Sequence, residues 1–391
     1  MAQRIDKMYE EAVESSLLPG ISVMAGDKNG NIVYSKSIGT ASLKEGRDLP
    51  FTASTVCAFA SMSKLMTSVA VLQCVEEGKL DLDMDVKPLL PSIGKYGIMK
   101  SFDEEKNSAV LEESTATITL RMLLSHTSGH EYDWFGPEVG KWRASRGEEP
   151  WTGLTVEDKS VLPLVFTPGT SWAYGAGIDW AGKLVEIATS DTLDAFARAR
   201  IWKPLGIEDD LSFYPKSREH MKHRVADIST LNEKGEPPAV DAASFDILFG
   251  GTERFGGVGL FGSTAAYHFF VSALLRRDQR LLKPDSYVEL FRPQLNEHLE
   301  EEFNKYVAKS PVHTALLDLE LRRNGGQGSS TGEICGGHDA MGGVPCAEWF
   351  IDHESGLCAT VLCQIFPPMH PPVMALHARF QSELFRMIHN E

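Results

Sequence analysis

The chain has 391 residues, 42% of them hydrophobic and 24% charged, the composition of a globular protein rather than a disordered, fibrous or disulfide-dense one. That length predicts roughly two or three domain-sized units with a core large enough to need no staples. Against 54 Asp and Glu there are 38 Lys and Arg, a formal charge of −16, which argues against nucleic-acid or anionic-membrane partners because both need basic surface.

The first segment, MAQRIDKMYEEAVESSLLPG, reads as an amphipathic helix ending near Pro19-Gly20. It lacks the apolar centre of a secretory leader, and no apolar run reaches the roughly 18 residues of a membrane helix, so a cytoplasmic protein without a membrane partner is expected. GISVMAGDKNGNIVYSKSIG follows, two β-rich runs with Asn29-Gly30 at the turn between them, which predicts a hairpin. TVCAFASMSKLMTSVAVLQCVEEGKLDLD contains a long apolar helix closing near Gly78. Residues 80 to 200 read as helices and loops. Residues 263–278 read as a further helix opened by Ser263-Thr264, and residues 324–332 as a Gly/Ser-rich loop. EWFID and GLCATVLCQIF read as strands, and MALHARFQSELFRMIH as a closing helix.

Strands therefore lie at both ends of the sequence and helices in the middle. The fold class expected is α+β: an antiparallel sheet flanked by the N- and C-terminal helices, with an inserted, mostly helical subdomain. The boundaries expected are 1–85 with 205–391 for the sheet domain and 86–204 for the insert. The six cysteines, Cys57, Cys74, Cys335, Cys346, Cys358 and Cys363, form no CxxC pair, and Cys358 and Cys363 fall on opposite strand faces. Buried, reduced thiols are expected.

Some short patterns are decoys. Gly257 to Gly262 satisfies GxGxxG, but no parallel βαβ unit surrounds it. Gly328 to Gly332 satisfies GxSxG, but the preceding Arg322–Gln327 is no apolar strand, so Ser330 reads as a loop serine. His220 and His223 form HxxH in a polar stretch without a third ligand, so no metal is expected. Ser92-Ile93-Gly94-Lys95 is a Ser-x-x-Lys match in loop-like sequence.

Ser61-Met62-Ser63-Lys64 differs, because it opens the apolar helix that continues through Leu65, Val69, Val71 and Leu72. At i, i+3 the two side chains share one helix face. The serine sits where backbone dipoles favour developing negative charge. Burial lowers a lysine's pKa and makes it a base for a serine. Taken alone, the motif is equally compatible with an ordinary helix start carrying an exposed lysine.

Its company is more specific. In order follow Leu123-Leu124-Ser125-His126-Thr127-Ser128-Gly129, then Pro168-Gly169-Thr170-Ser171-Trp172-Ala173-Tyr174-Gly175-Ala176, then Gly256-Gly257-Val258-Gly259-Leu260-Phe261-Gly262-Ser263-Thr264, then Cys335-Gly336-Gly337-His338-Asp339-Ala340-Met341-Gly342-Gly343. This ordered set resembles the serine hydrolases related to class C β-lactamases and DD-peptidases, over nearly the whole chain. Within them, LQCVEEGKLDLD and YGAGIDWAGKLVEIAT are most similar to the lovastatin-type acyltransferases, which esterify polyketide alcohols.

The resemblance implies a β-lactamase/transpeptidase-like fold with Ser61 as nucleophile, Lys64 as its partner and Tyr174 sharing the proton work. The backbone N–H groups of Ser61 and Met341 match the oxyanion hole. His338-Asp339-Ala340 falls where β-lactamases carry Lys-Thr-Gly, placing His338, Asp339 and Gly342 beside the substrate. Tyr132, Trp134 and Phe135 would either wall the cleft or pack as core aromatics. Two departures, Ala176 in place of asparagine and His338 in place of lysine, argue against β-lactam hydrolysis.

The activity expected is acyl transfer from a thioester or ester donor to an alcohol, by a ping-pong acyl-enzyme route without metal or cofactor. The alternatives are an esterase or lactonase acting on small esters and a non-catalytic binding protein on the same fold. An acyl carrier protein, typically acidic, would be repelled at long range and would need a local basic patch. Arg276, Arg277, Arg280 and Lys283 are the best cluster for one.

Overall fold

A computed structural model describes residues 2–243, 245–309 and 340–389. The chain opens with helix α1 (Ala2–Glu14) and the expected hairpin of β1 (Gly20–Asp27) and β2 (Ile32–Gly39). The turn is built by Asp27, whose Oδ1 accepts the backbone N–H groups of Asn29 and Asn31, each at 2.9 Å. Gly30 takes the positive φ of +84° that closes it.

Strand β3 (Val56–Ala58) leads into a 3₁₀ turn, Ala60–Met62, and then helix α2 (Ser63–Glu76). Ser61 thus lies in the turn before the helix and not in its first α-helical residues, and Ala60, just before it, is left-handed at φ +46°. Every residue of α2 from Ser63 to Cys74 is buried. A helix apolar on all sides belongs to the interior, and α2 runs through the main core against α3 (Gly177–Thr189).

The later elements are β4 (Phe261–Ser263), α4 (Thr264–Leu275), β5 (Ala340–Gly343), β6 (Ala347–Asp352), β7 (Leu357–Leu362) and α5 (Pro371–His389). The principal sheet is antiparallel throughout, in the order β5-β6-β7-β1-β2, so strands from the two ends of the chain do share one sheet. Its two faces follow the period-2 alternation. Val23, Ala25, Ala359 and Val361 pack on α1 and α5 through Ile5, Tyr9, Phe380 and Leu384. Trp349, Ile351, Cys358 and Leu362 join Tyr267, Phe270 and Leu274 of α4 in the main core. Cys358 and Cys363 accordingly belong to opposite faces. Five cysteines are buried and free, and Cys335 lies outside the described residues.

The stretch read as helices and loops also holds a hairpin, Ile98–Asp103 with Ser108–Glu112. Its second strand is exposed at Ser108, Val110, Leu111 and Glu112, so no apolar alternation marks it in the sequence. Among the described residues no helix is long and apolar enough to cross a membrane. The Gly/Ser-rich segment 324–332, Ser330, His338 and Asp339 lie outside the described residues.

Candidate active site

The segments singled out in the sequence fix one another around Ser61. The Gly256–Thr264 segment pairs with the strand leading to the serine, Cys57 opposite Gly262 and Ala58 opposite Phe261. The Leu260 N–H donates to Ser63 Oγ at 3.0 Å, and the Tyr267 hydroxyl donates to the Met62 carbonyl at 2.7 Å. The Leu123–Gly129 segment grips the loop that carries Tyr174. The Gly169 N–H donates to the Thr127 carbonyl at 2.8 Å, the Ala173 N–H to the His126 carbonyl at 3.1 Å and the Gly175 N–H to His126 Nδ1 at 3.3 Å. His126 turns the chain at φ +60°. Burial and the nearby Lys64 charge hold its imidazole well below the ordinary histidine pKa, a neutral, positioning ring.

These supports bring Ser61, Lys64 and Tyr174 together. The Tyr174 hydroxyl donates to Ser61 Oγ at 2.7 Å, and Lys64 Nζ stands 3.3 Å from the same oxygen and 4.7 Å from the Tyr174 ring centre. All three side chains are buried. Burial lowers the Lys64 pKa to about 7, with Asp179 acting the other way. Burial raises that of Tyr174 above the ordinary tyrosine value, so the phenol is neutral and serves as a donor. A near-neutral amine beside a serine hydroxyl that a phenol already polarises can take the serine's proton.

Tyr132, expected on the wall of the cleft or in the core, is buried, with its ring in the core and its hydroxyl in the polar centre. It stands 3.4 Å from Lys64 Nζ and donates to Asp179 Oδ2 at 2.8 Å. Asp179 Oδ1 accepts the Gly257 N–H at 2.8 Å, while the Gly257 carbonyl accepts from Lys64 at 2.9 Å. Sequence reasoning passed over Asp179 and gave Gly257 no role in the site. The signal for Asp179 was an acidic residue inside an apolar helical run, AGIDWAGKLV. The signal for Gly257 was the glycine cluster itself, since a Cβ there would meet Asp179 Oδ2 at 2.6 Å and the Tyr132 hydroxyl at 2.9 Å.

Trp134 is 37% exposed, 5.5 Å from the Phe249 ring and 5.3 Å from Trp151. With Phe135, Met99, Val165 and Tyr306 it lines a cleft of about 630 Å³, and Phe135 also lies 5.9 Å from the Tyr174 ring. Met341 and Gly342 are in β5, opposite Trp349 and Glu348 of β6, and β5 runs beside the Ala60–Met62 turn.

Ser92 is in a turn with Lys95 exposed, and His220 and His223 are exposed. Among the described residues no cluster of metal-ligating side chains occurs. The basic cluster sits elsewhere: the Lys283 N–H donates to Glu76 at the C-terminal end of α2, the end opposite Ser61, and Arg280 is paired with Asp278 at 2.6 Å.

The model of the β-lactamase family matches residues 5–383. The chain belongs to that family. Within the family it is 34% identical to monacolin J acid methylbutanoyltransferase of Aspergillus terreus, over 97% of this chain and 95% of that one. It is 32% identical to the lovastatin esterase of Penicillium rubens, over 98% of both chains. Unliganded simvastatin synthase (LovD) of Aspergillus terreus superposes with a TM-score of 0.85 at 29% identity, covering 100% of this chain and 99% of that one. The α+β, β-lactamase/transpeptidase-like fold read from the sequence is the one found. The chain is an enzyme of the family's acyltransferase and esterase kind.

Proposed function

We propose that the protein transfers an acyl group from a thioester or ester to an alcohol of a secondary metabolite through an acyl-Ser61 intermediate. The observation that carries this is Ser61 Oγ held at 2.7 Å by the Tyr174 phenol and at 3.3 Å by the Lys64 amine, in a buried setting. In the first half-reaction Ser61 Oγ bonds to the donor carbonyl carbon as its proton passes to Lys64. The backbone N–H groups of Ser61 and Met341 receive the oxyanion. The carbon–sulfur or carbon–oxygen bond to the leaving group breaks, and the leaving group takes a proton through Tyr174 or Lys64. In the second half the acceptor alcohol gives its proton to the same base and attacks the acyl carbon; the bond from that carbon to Ser61 Oγ breaks, and Oγ takes the proton back, restoring Ser61.

Trp134, with Phe135 and the cleft they line, supplies an apolar seat for substrate. A small thioester or a carrier-bound acyl group serves as donor. α2 has 14 residues, about 20 Å at 1.5 Å per residue, which puts the basic cluster far from Ser61 and favours the small donor.

The test is an intact-mass adduct at Ser61 with an acyl thioester or a fluorophosphonate, absent in Ser61→Ala. Retained turnover in Ser61→Ala would sink the reading. A second reading, hydrolysis, is favoured by the equal coverage of the esterase relative. The ratio of ester to free acid, measured with and without acceptor alcohol, separates the two.

A further inference from the structure

Four groups form a closed ring behind the candidate nucleophile. Asp179 accepts from Tyr132 and from the Gly257 N–H, while Lys64 donates 2.9 Å to the Gly257 carbonyl and 3.4 Å to the Tyr132 oxygen. Burial raises the Asp179 pKa, while Lys64 and the hydrogen bonds from Gly257 and Tyr132 act the other way; with the carboxylate ionised, the polarity of this ring is determined. Tyr132 has one O–H, and at 2.8 Å from a carboxylate oxygen it is committed to Asp179. Toward Lys64 it can therefore only accept. The Gly257 carbonyl can also only accept. A neutral amine has two N–H bonds and one lone pair, arranged tetrahedrally. If both N–H bonds are directed at Tyr132 and Gly257, the lone pair is left for the third neighbour, Ser61 Oγ at 3.3 Å.

We propose that Asp179 is a positioning residue for acyl transfer: by fixing the Tyr132 hydroxyl as an acceptor and holding Gly257, it aims the Lys64 lone pair at the Ser61 hydroxyl. This rests on Ser61 and Lys64 being nucleophile and base. The carboxylate also counters the charge Lys64 gains when it takes the serine proton. Among the described residues the titratable groups facing Lys64 are few. They are Asp179 from α3, Tyr132 and the neutral His126 from the segment 125–135, and Tyr174 from its own loop; the Gly256–Thr264 segment contributes a backbone carbonyl.

Asp179→Asn tests the idea, because an amide cannot accept from both partners with full strength. Its NH₂ must face either the Gly257 N–H, donor against donor, or the Tyr132 oxygen, which frees the Tyr132 O–H to occupy the lysine lone pair. Hydrolysis of p-nitrophenyl butyrate by the full-length variant is the readout, with Ser61 labelling of the wild type as control. The expectation is a kcat at least about a hundredfold lower with little change in KM, as for loss of an acid–base group. The acid limb of kcat/KM should also move down by about one pH unit, because a nearby opposite charge has been removed from Lys64. Tyr132→Phe keeps the carboxylate and removes the bridge, so kcat falls while the acid limb stays in place. A wild type labelled at Ser61, with kcat within about threefold in either variant or an unmoved limb in Asp179→Asn, overturns the role of Asp179 and leaves the proposed function standing. A wild type not labelled at Ser61 overturns the proposed function itself.

Discussion

The Tyr174 phenol stands 2.7 Å from Ser61 Oγ, and burial keeps it protonated well past the pH at which Lys64 loses its proton. The division of labour follows: the lysine is the base at rest, and the tyrosine is the donor that steadies the serine oxygen and relays a proton to the leaving group. Acylation of Ser61 should therefore rise with pH through about 7, the Lys64 value, and should not fall on account of Tyr174 anywhere below pH 10. Stopped-flow acylation by an activated ester between pH 5 and 10 checks both limbs. In Tyr174→Phe the acid limb should persist near its wild-type position while the maximal rate falls by about 10²–10⁴-fold, the usual contribution of one acid–base group.

The same lysine makes a stability prediction. Its pKa is near 7 when folded and at the ordinary lysine value of 10.5 when unfolded. Between those values the unfolded chain holds the extra proton, so this group's contribution to stability is complete above pH 10.5 and is lost as pH falls through 7. The unfolding midpoint of Lys64→Met, similar in length and without charge, relative to wild type should therefore be most favourable below pH 7 and become less so toward pH 10. Thermal unfolding of the two proteins at pH 6 and pH 9 checks this, and a relative midpoint that rises with pH would contradict it.

Fold and chemistry were legible in the sequence to different depths, for physical reasons. The hairpin at Asn29-Gly30 and the split sheet were visible because turn chemistry and period-2 alternation are local. Ser61 and Lys64 were visible because a helix start brings i and i+3 together within four residues. Tyr174 needed the resemblance, since its place beside Ser61 depends on the pairing of the His126 and Ala173 segments across the core. The Tyr132–Asp179–Gly257 ring stayed hidden because its members lie on three separate segments, and neither an acidic residue in an apolar run nor a glycine cluster tells which residues it will meet. Tyr132 looked apolar because an aromatic residue beside Trp134 and Phe135 shows its ring in the sequence and not the direction of its hydroxyl. The exposed hairpin after Ile98 was missed because neither of its faces is fully committed to the core.

Gly257 should be intolerant of the smallest side chain. Its φ is ordinary, so the objection is space rather than backbone strain: an added Cβ meets Asp179 Oδ2 at 2.6 Å, the Tyr132 hydroxyl at 2.9 Å and the Asp179 carboxyl carbon at 3.0 Å. These are buried groups in the core of the site and not the ends of flexible surface chains. Gly257→Ala should lower kcat by at least about tenfold, because a displacement approaching 1 Å in supporting groups is felt at the reacting atoms. Ser108→Ala, at an exposed position on the second strand of the Ile98 hairpin, controls for a general effect of substitution. Esterase kinetics of the two variants, with unfolding curves beside them, separate loss of chemistry from loss of fold.

Behind the Tyr132–Phe135 segment, Arg143 and Asp133 form an ion pair at 2.5 Å with side chains 3% and 0% exposed. The Asp133 carboxylate also accepts the Trp151 N–H at 2.9 Å, and the guanidinium reaches the carbonyls of Lys159 at 2.7 Å and Asp158 at 3.1 Å. The pair thus ties the segment holding Tyr132 and Trp134 to the stretch Trp151–Lys159. Removing one partner leaves an uncompensated buried charge, which typically costs about 3–5 kcal/mol, whereas replacing both with apolar groups is often neutral. Arg143→Met should therefore destabilise by about that amount in denaturant unfolding, and the double variant Arg143→Met, Asp133→Leu should recover a large part of it. Because Asp133 lies between Tyr132 and Trp134, the single variant should also weaken acylation of Ser61. If the double variant regains stability but not acylation, the pair's role is to place the Tyr132 segment; if it regains both, the apolar packing suffices to hold that segment.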